Sequence, residues 1–137
     1  MTETRYMIGV DIGTTSTKAV LFEENGNIAA QHHVGYPLHT PEPDAAEQDP
    51  EDILKAVVET VQEVMTQSGV PAEHVLFVSF SSAMHSVLAV DKNGKPLTAS
   101  ITWQIIVVPN GLKRSNINTM DTIFTYARER PFTPCHR

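Results

Sequence analysis

The sequence predicts an α/β fold that opens on three antiparallel strands, and three observations carry that prediction. Two short apolar runs, Tyr6 to Val10 and Lys18 to Phe22, flank a Gly/Thr/Ser stretch suited to a turn. An Asn-Gly pair within Glu23 to Asn27 leads into a third run, Ile28 to Val34. A helical repeat of apolar residues then precedes the continuous apolar segment Val75 to Phe80. Strand, strand, strand, helix, strand departs from the strictly alternating order of a doubly wound dinucleotide fold.

Each element has a local cause. The first two strands form a hairpin around residues 11–18, and the Asn25-Gly26 pair supplies the next turn, since both residue types tolerate positive φ. A Pro- and acid-rich loop follows, ending at Asp49-Pro50-Glu51-Asp52. There Asp suits a helix N-cap, Pro the first helical position, and the acids the positive end of the helix dipole. Ile53, Val57, Val61 and Val64, with Leu54, Val58 and Met65, mark one apolar helix face, and Gly69 ends the helix before Pro71. Val75 to Phe80 reads as a buried central strand and Ser86 to Val90 as a further strand, followed by the turn sequence Asp91 to Lys95.

Composition narrows the class. The chain has 137 residues with 41% hydrophobic, enough for one domain with a core. A net charge of −6 argues against a nucleic-acid partner, because a phosphate-neutralising surface needs clustered Lys and Arg. The single cysteine, Cys135, excludes an internal disulfide. No apolar run has transmembrane length, and the first residues lack the pattern of a signal peptide; a cytoplasmic protein with no membrane partner is the expectation. His32, His33, His39, His74 and His136 show no metal-ligand spacing, and most of them are expected at the surface.

The stretch Asp11 to Lys18, DIGTTSTK, gathers hydroxyls, one glycine, one cation and one carboxylate at a turn. Polyphosphate suits such a loop. Gly13 allows close backbone approach, N–H groups and the Thr/Ser hydroxyls can donate to phosphate oxygens, Lys18 can neutralise charge, and Asp11 can hold hydrated Mg2+. Spacing alone leaves open a Thr-rich turn with an exposed lysine, and the stretch is not a Walker loop.

This loop resembles the first phosphate motif of the actin-like and hexokinase-like ATPases, whose ribonuclease-H-like domains begin with the same three-stranded arrangement. Ala46 to Pro50 (AEQDP), Ser79 to Leu97 (SFSSAMHSVLAVDKNGKPL) and Ile101 to Trp103 (ITW) narrow the resemblance to the FGGY carbohydrate kinases. It covers residues 6 to 103. It implies a ribonuclease-H-like N-terminal domain, here truncated, from an enzyme that transfers phosphate from ATP with Mg2+ to a hydroxyl of a small sugar or sugar acid, gluconate above all. The cofactor-binding residues it implies are Asp11, Gly13, Thr14, Thr15, Ser16 and Lys18, with Asp11 meeting Mg2+ through water. Met84, His85 and Trp103 are similar to substrate-pocket residues, with Glu47 and Gln48 near the substrate side. The proton-accepting aspartate belongs to a later part of such kinases, so no catalytic residue is assigned here. A homodimer is implied for the full-length family member. A non-catalytic nucleotide- or sugar-binding module, and a fragment of another actin-like ATPase, are the competing readings.

After Trp103 the family pattern continues with a small residue, Asp, a variable residue and Arg, whereas this chain has Gln104-Ile105-Ile106-Val107-Val108. Regrouping the possible codons, with the third base of each joined to two bases of the next, permits Ala-Asp-Asn-Arg-Ser after Trp. The same regrouping of Ala127 to Arg137 permits Thr-Gly-Thr-Pro-Ile-His-Pro-Met-Ser-Pro, another family-like segment. Two such segments in one frame point to a single-base loss near codon 104. The expected organisation is therefore a partial kinase domain over 1–103 and a shifted, non-homologous tail over 104–137. In that tail Ile105 to Val108 could add as a strand and Thr119 to Arg130 could form a short helix. A sheet that stops short exposes apolar surface, so the isolated chain is expected to aggregate or be degraded.

Overall fold

The computed structural model describes residues 4–41 and 46–102. Its elements are β1 (Tyr6–Ile12), β2 (Ser16–Glu23), β3 (Ile28–Gly35), β4 (Glu47–Gln48), α1 (Pro50–Ser68), a 3-10 turn (Ala72–His74), β5 (Val75–Ser82) and β6 (Ser100–Ile101). The strand and helix expected for the tail lie outside the described residues. Length suggests one domain, but the chain divides into two compact units: residues up to Pro37 with Glu51–Ala83, and Leu38–Pro50 with the residues from Met84 onward.

The first unit is a four-stranded sheet in the order β3-β2-β1-β5. β1 pairs antiparallel with β2, β2 antiparallel with β3, and β1 parallel with β5, as the strand and helix order implies. Side chains alternate between the faces of a strand, so one face carries Ile8 and Val10 of β1 with Ala19 and Leu21 of β2. These join Ala30 and Val64 in the buried core, against which Val57, Val61 and Met65 of α1 pack. Burying a side chain such as Leu21, wholly removed from solvent, stabilises the fold by about 1.5–3 kcal/mol.

The helix runs from Pro50 to Ser68, and Gly69 follows it at φ 64°, the left-handed position that ends helices. Its buried stripe is Ala56, Thr60 and Val64, narrower than the expected apolar face. Leu54 and Val58 are exposed, because at 100° per residue they fall on the side opposite Ala56. The buried Thr60 hydroxyl donates to the Val57 carbonyl at 3.0 Å, which avoids an unpaired polar group in the core.

The Asn25-Gly26 turn forms with only Gly26 at positive φ (90°), so Asn25 does not need the left-handed region expected of it. The Glu23 N–H donates to the Asn27 carbonyl, and a register shift between Leu21 and Phe22 absorbs the extra residue. β5 corrects a second expectation. Its continuous apolar sequence reads as a central strand, yet among the described residues it pairs only with β1 and is exposed along nearly its whole length. Continuous apolarity records a strand meant to be covered on both faces, and no described residue supplies that cover.

In the second unit, β4 and β6 pair antiparallel, Glu47 with Ile101 and Gln48 with Ser100. Ser86 to Val90 is not a regular strand: it makes isolated bridges, Val87 to Ile101 and Val90 to Pro96. The Asp91 to Lys95 turn closes as expected, with Gly94 at φ 80° and the Asp91 N–H donating to Lys95 O at 2.8 Å. Backbone N–H groups of Lys95 and Asn93 donate to the Asp91 carboxylate and hold its pKa below the ordinary carboxylate range.

Candidate functional site

The sheet register determines what stands on the face turned away from α1. Ile8 and Val10 pair with Leu21 and Ala19 on the core side, so Asp11 and Lys18, which pair with each other, occupy the opposite face. Asp11 is also opposite Ser81 on β5, and Lys18 opposite His33 on β3. The result is one polar row across four strands, Ser81, Asp11, Lys18 and His33, with every member exposed. Asp11 and Lys18 are thus register partners at the mouth of the loop that joins their strands.

That loop is tight. The Gly13 N–H donates to Ser16 O at 2.9 Å, and a Cβ on Gly13 would stand 3.1 Å from the same oxygen, so a glycine is favoured here by close approach. The Gly13 N–H is consequently spent within the loop, which removes it from the anion-binding donors expected of this stretch. Thr15 is exposed, while Thr14 and Ser16 are half-buried. Thr17, between the residues expected to meet phosphate, is wholly buried.

Tyr36 was not legible as part of this loop. It follows β3, its N–H donates to Thr15 O at 3.1 Å, and its hydroxyl donates to Gly13 O at 2.5 Å. The Thr17 hydroxyl stands 3.3 Å from the same phenol oxygen. The sequence signal, a tyrosine one residue past a strand end, acquires meaning only once the register Ser16 opposite Gly35 is known.

Met84 and His85 belong to the other unit. Met84 is 74% exposed, and His85 is exposed with φ 63°, the sole described non-glycine residue in the left-handed region. Backbone strain of this kind recurs at functional positions. In the same unit three motif segments separated in sequence meet: Ile101 exchanges hydrogen bonds with Val87 at 2.9 Å and pairs with Glu47. Thr102 adds two bonds to Ala46 O, from its N–H at 3.0 Å and its hydroxyl at 3.1 Å. Gln48 and Thr102 are buried. Trp103 and His136 lie outside the described residues. His32 and His74 are half-buried rather than at the surface, where His33 and His39 stand. Among the described residues no group of three or more His, Cys, Asp or Glu is placed to hold a metal ion. A single carboxylate at Asp11 fits hydrated Mg2+ shared with substrate phosphates, and does not fit a protein-built cage.

No helix among the described residues is long and apolar enough to cross a membrane. Residues 6–106 match the FGGY family of carbohydrate kinases, N-terminal domain. The gluconokinase of Bacillus subtilis is 56% identical over 100 residues, which are 73% of this chain and 19% of that protein. The xylulose kinase of the same organism is 32% identical over 99 residues, 72% of this chain and 20% of its own length. The chain therefore spans about one fifth of the curated relatives it matches. Among solved structures, gluconate kinase from Lactobacillus acidophilus superimposes with a TM-score of 0.70 at 33% identity, covering 93% of this chain and 23% of that one. The sheet is thus part of an actin-like ATPase fold. By its sequence over residues 6–106 and by its fold, the chain belongs to the FGGY family of carbohydrate kinases.

Proposed function

We propose that this chain carries a nucleotide-phosphate loop and part of the sugar-acid pocket of an enzyme that phosphorylates gluconate with ATP and Mg2+. The observation that supports this best is the pairing of Asp11 with Lys18 beside the hydroxyl-rich loop, on the sheet face opposite the core. The identity to gluconokinases supports gluconate over other sugars. Bound Mg-ATP supplies the phosphoryl group, and transfer depends on alignment and charge stabilisation more than on covalent chemistry by the protein. Lys18 neutralises phosphate charge, the hydroxyls of Thr14, Thr15 and Ser16 donate to phosphate oxygens, and Asp11 accepts hydrogen bonds from water around the metal. Gly13 contributes closure of the loop rather than a donor. Met84 and His85, with Trp103, contact the sugar acid.

The carboxylate that accepts the proton of the attacked hydroxyl is not among these residues, whose part in the reaction is to bind and align. On this reading residues 1–103 are the partial kinase domain and 104–137 a shifted reading of the same gene, which the change of character after Trp103 supports. The soluble, cytoplasmic setting and the homodimer of the complete enzyme belong to this reading.

The experiment is an ADP-release assay with gluconate and Mg-ATP, run beside calorimetric titration of each ligand. Binding of Mg-ATP with no release is the expected result, and it also fits a binding module without catalysis. Release of ADP that requires gluconate overturns the inactive reading, and absence of nucleotide binding overturns the phosphate site.

A further inference from the structure

We infer that Tyr36 is the positioning residue of the phosphate loop, holding the carbonyl of Gly13 away from the anion. The inference rests on the phosphate site proposed above. Glycine at position 13 is favoured by the close approach to Ser16 O, but the same absence of a Cβ makes the following peptide easy to rotate. Rotation would turn a carbonyl oxygen, a partial negative charge, toward the place where phosphate oxygens gather. The Tyr36 hydroxyl opposes it by donating to Gly13 O at 2.5 Å.

Proton counting extends the chain of bonds. A phenol has one proton, and Tyr36 gives it to a carbonyl that cannot donate. At the 3.3 Å contact with Thr17 the threonine must therefore be the donor and the phenol oxygen the acceptor. Thr17 is wholly buried, so its hydroxyl has no solvent to turn to, and its place in the loop motif is explained without any contact to nucleotide. A third bond, Tyr36 N–H to Thr15 O at 3.1 Å, fixes the other arm of the loop. One residue thereby holds both carbonyls that flank Thr14, and the ring's place at the end of β3 makes the loop geometry depend on the sheet register.

The test uses the whole 137-residue chain and the variants Tyr36→Phe, Thr17→Val and Thr17→Ser. Tyr36→Phe retains the ring and loses only the hydroxyl. Hydrogen exchange of the Gly13–Thr17 segment, read by mass spectrometry without ligand, is expected to accelerate at least tenfold in Tyr36→Phe while exchange in β1 and β2 stays unchanged. Thr17→Val is expected to give a smaller acceleration, and Thr17→Ser to restore the parent rate. Calorimetry with Mg-ATP is expected to show about tenfold weaker binding in Tyr36→Phe, with the far-UV circular dichroism unchanged and the unfolding midpoint lowered by the loss of the phenol's two hydrogen bonds. Unchanged loop exchange in Tyr36→Phe overturns the inference whether or not nucleotide binds, as does an unchanged affinity for Mg-ATP where the parent chain binds it. Loop acceleration in Tyr36→Phe together with a parent chain that does not bind Mg-ATP leaves the positioning role standing and overturns the phosphate-site reading instead.

Discussion

Asp11 and Lys18 stand directly opposite each other on β1 and β2, on the sheet face that the core does not use. In the proposed site Asp11 is the acceptor for metal-bound water and Lys18 the phosphate donor, so the two charges should respond differently to substitution. Lys18→Met removes a charge-assisted contact worth about 1.5–3 kcal/mol, so Mg-ATP affinity should fall by roughly tenfold to a hundredfold. Asp11→Asn should weaken binding of Mg-ATP but leave that of metal-free ATP unchanged or improved, since a negative charge is removed. Calorimetry with and without Mg2+ checks both.

His85 is held at φ 63° without the freedom of glycine. The left-handed conformation costs an L-residue about 1–2 kcal/mol, so His85→Gly should be more stable than His85→Ala by about 1 kcal/mol. Both variants lose the imidazole and should lose gluconate binding equally. Denaturant titration separates the backbone effect from the binding effect, and equal stability of the two variants would remove strain as a feature of this position.

Along β5, Leu76, Phe77, Val78 and Phe80 are exposed, Phe80 at 60%. Among the described residues β5 pairs on one side only, and an apolar edge strand is a template for pairing with other chains. The 137-residue chain is therefore expected to self-associate at micromolar concentration in size-exclusion chromatography. Phe77→Lys and Phe80→Lys should each shift the profile toward monomer by charging that edge. A monodisperse parent chain with a cooperative melt would contradict this.

The proposed frame shift after Trp103 makes a prediction about the gene. The encoding DNA, read one base out of frame from codon 104, should continue as Ala-Asp-Asn-Arg-Ser and onward into kinase-like sequence. DNA in which no frame continues past Trp103 in this way rules out the shifted reading.

Much of the first unit was legible because its signals are local. Alternating apolar residues set β1 and β2, Asn-Gly and Gly69 set the turn and the helix end, and Pro50 set the helix start. The departures in burial share one cause. Leu54, Val58 and Val75 to Phe80 were read as buried because hydrophobicity reports what a residue suits, whereas burial requires another element to arrive and cover it.

Local sequence was enough for the order β1-β2-β3-α1-β5 of the first unit, the hydroxyl-rich loop with its carboxylate and cation, and the family. These depend on residue type and spacing within short windows. Only the tertiary structure decided that Gly13 closes the loop with its own N–H, that Thr17 faces inward to Tyr36, and that residues 46–48, 87 and 101–102 form one unit. Those relationships join residues distant in sequence, and strand register is what turns such residues into neighbours with a defined donor and acceptor.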